Sequence, residues 1–178
     1  MATLSQARTL GGVGSILAIL AIVPLVGPIL SIIGFILVLI AVKYISDAVG
    51  DPSIFKNYLI AVIISIISVV VAAALGLAGL LGGFRLMGSP NLMGMLLSMI
   101  WVFVVVWILS IISAIFIRRS FNSIASAVGV KMFSTAALLY LIGAILMIAF
   151  GIGGIISLIA LILQIIAFFQ LPAEGGTA

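Results

Sequence analysis

Apolar residues run through this chain in long unbroken blocks, and polar residues are confined to short islands between them. From Leu59 to Leu81 the only side-chain hydroxyls are Ser65 and Ser68, and there is no charge. Strands of a transmembrane barrel alternate apolar and polar positions. A continuous run of this length instead predicts helices that bury their own backbone hydrogen bonds in lipid.

Charges and helix breakers divide the chain. The first block, Thr9 to Val42, is too long for one ordinary span of about 20 residues, and Pro24, Gly27 and Pro28 interrupt it. Proline in a helix interior removes a hydrogen bond and clashes with the preceding turn, so the block predicts a hairpin, roughly 5–23 and 28–49. Gly50 suits the position just past a helix end. Asp51 followed by Pro52 reads as an N-cap with proline in the first turn, opening a third helix to about Gly83. Ser89-Pro90 repeats that start signal. A fourth helix runs from there past Ile117, meets Arg118-Arg119, and continues as a more polar, amphipathic stretch over 120–129. Lys131 opens the last block, Met132 to Leu171, which is interrupted by Gly151, Gly153 and Gly154. It predicts a second hairpin, roughly 132–150 and 154–170. The expected fold is all-α, a polytopic transmembrane bundle of six helices over residues 1–171, with four long helices as the alternative and a flexible tail over 172–178.

Composition agrees with lipid as the surrounding solvent. Of 178 residues, 66% are hydrophobic and 6% charged, with mean hydropathy +1.64. Soluble domains are nearer 45–50% apolar and about 25% charged. The formal charge of +4 rests on seven Lys/Arg against three Asp/Glu. It points to topology rather than to nucleic acid. With the N-terminus in the cytoplasm and six spans, Arg8, Lys43, Lys56, Arg118, Arg119 and Lys131 share the cytoplasmic side and Arg85 lies outside, as the positive-inside rule asks. Both termini are then cytoplasmic in the cell membrane. No cleavable signal peptide is evident, so the first apolar segment is expected to be retained as a span.

An echo at a constant offset runs through the chain. Ile29-Leu30-Ser31-Ile32-Ile33 recurs as Ile108-Leu109-Ser110-Ile111-Ile112, and Ala48-Val49-Gly50 recurs as Ala127-Val128-Gly129. Duplication of this kind is common in membrane folds; chance matching in an apolar alphabet is the alternative.

Candidate chemistry is sparse. There is no cysteine or histidine, which removes thiolate ligands and the commonest proton shuttle and metal ligand. Asp47 and Asp51 could hold a cation, but a Lys43–Asp47 pair and an Asp51 cap account for them. Met87, Met93, Met95 and Met99 could offer thioethers to copper, yet methionine is also ordinary packing material. No cofactor or metal is expected. Ala72, Gly76, Gly79 and Gly83 form a small-residue stripe of the kind that lets helices approach closely in lipid, within one chain or between copies in a homo-oligomer. Arg118, Arg119 and Lys131 flank the amphipathic stretch, whose Phe121, Ile124 and Val128 could lie on the membrane surface while the cations hold anionic lipid headgroups. Inside the spans the polar groups are neutral, among them Ser65, Ser68, Ser110, Ser113, Tyr140 and Gln164. Ion-coupled pumps generally place ionisable groups at depth, so the pattern argues against proton-coupled transport and against catalysis.

Several segments resemble one archaeal family of small membrane proteins. They are Leu4-Ser5-Gln6-Ala7-Arg8-Thr9-Leu10-Gly11-Gly12, Tyr44-Ile45-Ser46-Asp47 with Ser53-Ile54-Phe55-Lys56-Asn57, Leu138-Leu139-Tyr140-Leu141-Ile142-Gly143, and Ile166-Ala167-Phe168-Phe169-Gln170-Leu171-Pro172. Together they are similar to the domain of unknown function 996, across nearly the whole chain. The resemblance implies a multi-pass archaeal membrane protein and supplies no activity or site residues. The expectation is a non-enzymatic membrane-organising protein acting through helix packing, oligomerisation or lipid contact. A small passive channel or transporter for a neutral or hydrophobic solute is the alternative.

Overall fold

The computed structural model describes residues 3–20, 23, 26–85, 92–148 and 152–172, with the side-chain surroundings of 28, 80–85, 92 and 95 left out. Six α-helices follow one another: α1 (Leu4–Ile19), α2 (Gly27–Val49), α3 (Pro52–Arg85), α4 (Leu92–Val128), α5 (Met132–Leu146) and α6 (Ile152–Phe169). No strand occurs among the described residues. Four helical segments are long and apolar enough to cross a membrane: Ile29–Val49, Pro52–Gly79, Leu96–Val128 and Ile152–Phe169. The helices α1 and α5, of 16 and 15 residues, are shorter.

Local sequence explains the ends. Thr3 and Gln6 form a capping box at α1, each side chain bonded to the other's backbone N–H. At the α2–α3 turn, Gly50 has φ 74° and its N–H donates to the Ser46 carbonyl. The Asp51 N–H donates to the same carbonyl at 3.1 Å, and the Ser46 hydroxyl closes the turn on the Asp51 carbonyl at 2.8 Å. The Asp51 carboxylate then accepts from the Ser53 N–H at 2.9 Å, which caps α3 as expected. Gly129, at the echoed position, has φ 73°, so both Ala-Val-Gly triplets end a helix in the same left-handed geometry. The halves then diverge. At the echo's offset the broken α1–α2 unit aligns with the unbroken α4, and the unbroken α3 with the broken α5–α6 unit.

The breaks fall slightly differently from the expectation. Pro28 lies in the first turn of α2, and Gly153 and Gly154 lie in the first turn of α6. These three residues start helices after the breaks instead of forming them. Pro24, Gly151 and Met87 lie outside the described residues, as do 173–178 of the expected tail. The polar stretch over 120–129 is a second difference. It is no separate surface helix but the last turns of α4. Phe121 and Ile124 are fully buried, and Val128 packs against the same core. Their apolar face turns to α3 and α5, where burial against protein is on offer, rather than to lipid.

Each helix packs on its neighbour in sequence, and α1 closes the ring against α6. The two outer hairpins are pinned by glycine pairs. A β-carbon on Gly14 would lie 2.6 Å from the Gly34 carbonyl oxygen, and one on Gly34 would strike the Gly14 carbonyl in return. Gly143 and Gly153 oppose each other in the same way between α5 and α6. Backbones this close exchange dispersion contacts that compensate for the missing hydrophobic drive inside a bilayer.

The buried core sits at one end, among the starts of α1, α3 and α5 and the finishes of α2, α4 and α6. An aromatic chain crosses it. Tyr58 stacks on Phe121 at 5.9 Å, Phe121 meets Phe133 edge-on at 5.4 Å, and Phe133 meets Phe168 at 5.1 Å. The Phe168 ring then lies over Gly11 of α1. Each such pair contributes roughly 0.5–1.5 kcal/mol beyond area burial. Arg8, Lys43, Lys56, Arg118, Arg119 and Lys131 all belong to this basic end, and Arg85 ends α3 at the other. Away from the core, large apolar side chains face outward, for example Val69 and Trp101, each 69% exposed.

Candidate functional site

The longest packed pair is α3 with α4, and serines form its rungs. At the basic end the buried Ser120 hydroxyl donates to the Ile54 carbonyl at 2.8 Å. Further along, Ser113 donates to the Ala61 carbonyl at 3.0 Å and lies 3.0 Å from the Ser65 hydroxyl. Ser65 also reaches Ala61. Hydroxyls on small side chains can bridge helices in lipid without adding charge. Beyond Ser65 the pair is bordered by open space.

Two adjoining cavities open there. One, of about 470 Å³, is bounded by all of α3 to α6 and lined by Ser68, Trp107, Ser110, Tyr140 and Ser157 among mostly apolar neighbours. The other, of about 360 Å³, continues along α3 and α4 past Ala72, Gly76, Gly79, Met99 and Val102. Phe103 and Val106 belong to both walls, so the two adjoin as a groove in two parts that meet at these side chains. Both volumes fall within the roughly 300–1,000 Å³ of small-molecule sites. No charged residue lines either.

The polar wall is held by neighbouring helices. The Trp107 indole N–H is shared between the carbonyls of Ala144 at 3.0 Å and Ile145 at 3.2 Å. Those carbonyls belong to the last turn of α5, and Ala144 also accepts from the Met147 N–H at 3.4 Å. Tyr140 donates its hydroxyl to Gln164 Oε1 at 2.9 Å, and Gln164 Nε2 donates to Ser15 at 2.8 Å. This relay ties α5, α6 and α1 behind the cavity, and Gln164 and Ser15 are buried. Ser110 turns back to its own helix, onto the Trp107 carbonyl at 2.7 Å. Ser68 is different. It is 8% exposed, and its hydroxyl has no hydrogen-bond partner. A hydroxyl buried without a partner costs roughly 1–3 kcal/mol.

The described members of the small-residue stripe differ in what they face. Gly79 does meet α4, through Ser98. Gly76 has open space where a side chain would be, and Ala72 lines the same void. Gly83 lies in α3 where side-chain surroundings are not described. Missing side chains here make a groove within one chain. The sequence names most of the polar lining, but Trp107 and Ser157 were not singled out. Only their three-dimensional convergence on Ala144 and Gly143 marks them.

The other candidates stand apart from this groove. Lys43 pairs with Asp47 at 2.8 Å on an exposed face and lies over the Phe55 ring at 5.4 Å. Asp51 is engaged as the α3 cap. Among the described residues no group of three or more His, Cys, Asp or Glu could hold a metal. Met93 and Met99 are 67% and 68% exposed, and Met99 also borders the apolar cavity. Arg118, Arg119 and Lys131 are exposed at the basic end. Arg119 sits over Phe116 at 5.4 Å, and Ser134 beside Lys131 donates to Asn122 of α4 at 2.8 Å.

Comparison with known proteins gives a family and no activity. An uncharacterized protein of the archaeon Methanocaldococcus jannaschii is 36% identical over 172 residues, covering 96% of this chain and 94% of its own. No solved structure matches the chain. A family model described as protein of unknown function matches residues 30–162, which takes in α3, α4, α5 and nearly all of α2. On both grounds the chain belongs to the DUF996 family.

Proposed function

We propose that this is a non-enzymatic, multi-pass protein of the cell membrane that organises lipids by holding hydrophobic chains in the groove between α3 and α6. The observation that supports it is the pair of adjoining cavities with an uncharged, mostly apolar wall. Bulk lipid cannot pack against a void, and a hydrocarbon chain that fills one regains dispersion contacts along its whole length. The six cations at the tightly packed end set the orientation, with both termini cytoplasmic. Exposed Arg118, Arg119 and Lys131 contribute weak attraction to anionic headgroups there, roughly 1 kcal/mol per cation near the surface. A homo-oligomer would place further lipids between copies.

Native mass spectrometry of protein released from its own membrane tests this reading. Retained lipid, or a second copy carrying lipid between subunits, is the expected result. A bare monomer that keeps no lipid under gentle release sinks it. The serine-lined wall also favours a second reading, a passive path for a neutral or hydrophobic solute. Proteoliposomes that release such a solute no faster than empty vesicles would remove it.

A further inference from the structure

We infer that the α3–α6 groove takes one elongated neutral amphiphile, a hydrocarbon chain ending in a hydroxyl or carbonyl, with its polar end at Ser68. The inference rests on the lipid-contact reading and specifies the occupant. Among the described residues, most of the groove's hydroxyls lie at one end, and Ser98 is the one hydroxyl lining the other. Ser68, Trp107, Ser110, Tyr140 and Ser157 gather in the wider cavity, whereas Ala72, Gly76, Met99 and Val102 line the other. Along α3 the distance from Ser68 to Gly79 is roughly 17 Å at 1.5 Å per residue. That length suits an extended chain better than a compact solute.

Three observations fix the chemistry of the polar end. First, the hydroxyls of Ser65, Ser110, Ser113 and Tyr140 already have partners, while that of Ser68 is buried without one. A ligand oxygen would supply it. Second, no charge lines the site. An ionised headgroup drawn into such a place would lose its hydration with nothing in return. Third, Ser68 stands roughly 18 Å along α3 from Lys56, the last charge at the basic end of the helix. That is near the middle of a hydrocarbon layer about 30 Å thick, where phosphate headgroups do not sit. At the other end, Gly76 faces open space, which leaves the room that a chain needs.

The site contains its own reporter. The chain has two tryptophans. Trp107 lines the polar cavity, and Trp101 is 69% exposed. In a Trp101→Phe background, the full chain in phosphatidylcholine nanodiscs is titrated with 1-octadecanol brominated along its chain. Equally brominated octadecane and octadecyl sulfate serve as comparisons. The alcohol is expected to quench Trp107 saturably, with a midpoint about tenfold below either comparison, the ratio that one good hydrogen bond supplies. Ser68→Ala should raise that midpoint about fivefold. Gly76→Leu, which adds a side chain into open space, should abolish saturation by filling the chain end. Equal quenching by all three probes overturns the inference, as does unchanged quenching in Gly76→Leu. Brominated phosphatidylcholine that quenches Trp107 and is not displaced by the alcohol also overturns it, while leaving lipid contact itself intact. Absence of any retained lipid in native mass spectrometry would instead remove the broader reading.

Discussion

Gln164 is the residue on which three helices agree. Its carbonyl accepts from Tyr140 of α5 and its amide donates to Ser15 of α1. Interhelical hydrogen bonds in membranes average about 0.6 kcal/mol and reach about 1.7. Tyr140→Phe should therefore cost about 0.6 kcal/mol. Gln164→Leu strands the buried Ser15 hydroxyl and the half-buried Tyr140 hydroxyl and should cost about 1–2 kcal/mol. Denaturant unfolding in detergent gives both values, and equal losses would mean that Gln164 bridges nothing. Glycines give a contrast in sign. Alanine at Gly50 or Gly129 is forced to φ near +74° and should cost about 1 kcal/mol. Alanine at Gly76, in open space within a helix, should gain up to about 1 kcal/mol. Both turn glycines were visible in the sequence through the repeated Ala-Val-Gly. The void at Gly76 was not, because a small residue in one helix says nothing about how far away its neighbour stands.

Between elements, legibility followed the reach of the signal. The Asp51-Pro52 cap, the Lys43–Asp47 pair and the six-helix order depend on residues within one turn of each other, and the structure contains them all. The glycine pairs do not. Gly14 meets Gly34 and Gly143 meets Gly153 only after the hairpins close, and no local pattern sets them apart from other glycines on apolar helices. The amphipathic end of α4 misled for a related reason. Phe121 and Ile124 face one way whether the partner is lipid or protein, and the choice belongs to α3 and α5. The pairs carry a firm expectation. Gly14→Leu or Gly153→Leu drives a side chain into backbone that cannot turn aside. Each should cost about 3 kcal/mol or more, read as loss of a monodisperse folded species in size-exclusion chromatography. Full recovery of either variant at wild-type yield would contradict the packing described.

Across the whole molecule, order is graded. The aromatic chain from Tyr58 to Phe168 locks the basic end, and the groove occupies the opposite part of α3 and α4. The absence of cysteine makes orientation easy to measure. In intact cells a membrane-impermeant thiol reagent should label Arg85→Cys and spare Ser126→Cys, which is exposed beside the basic end. The reverse pattern would invert the proposed topology.

The unequal helices have one more consequence. At 1.5 Å per residue α3 and α4 extend about 50–55 Å, whereas α1 and α5 reach only about 22–24 Å. A hydrocarbon layer is about 30 Å thick. Around a single circumference the bilayer therefore meets one flank that is too tall for it and others that are too short. It can match both only by tilting the tall pair and thinning beside the short hairpins, at a fraction of a kcal/mol per ångström.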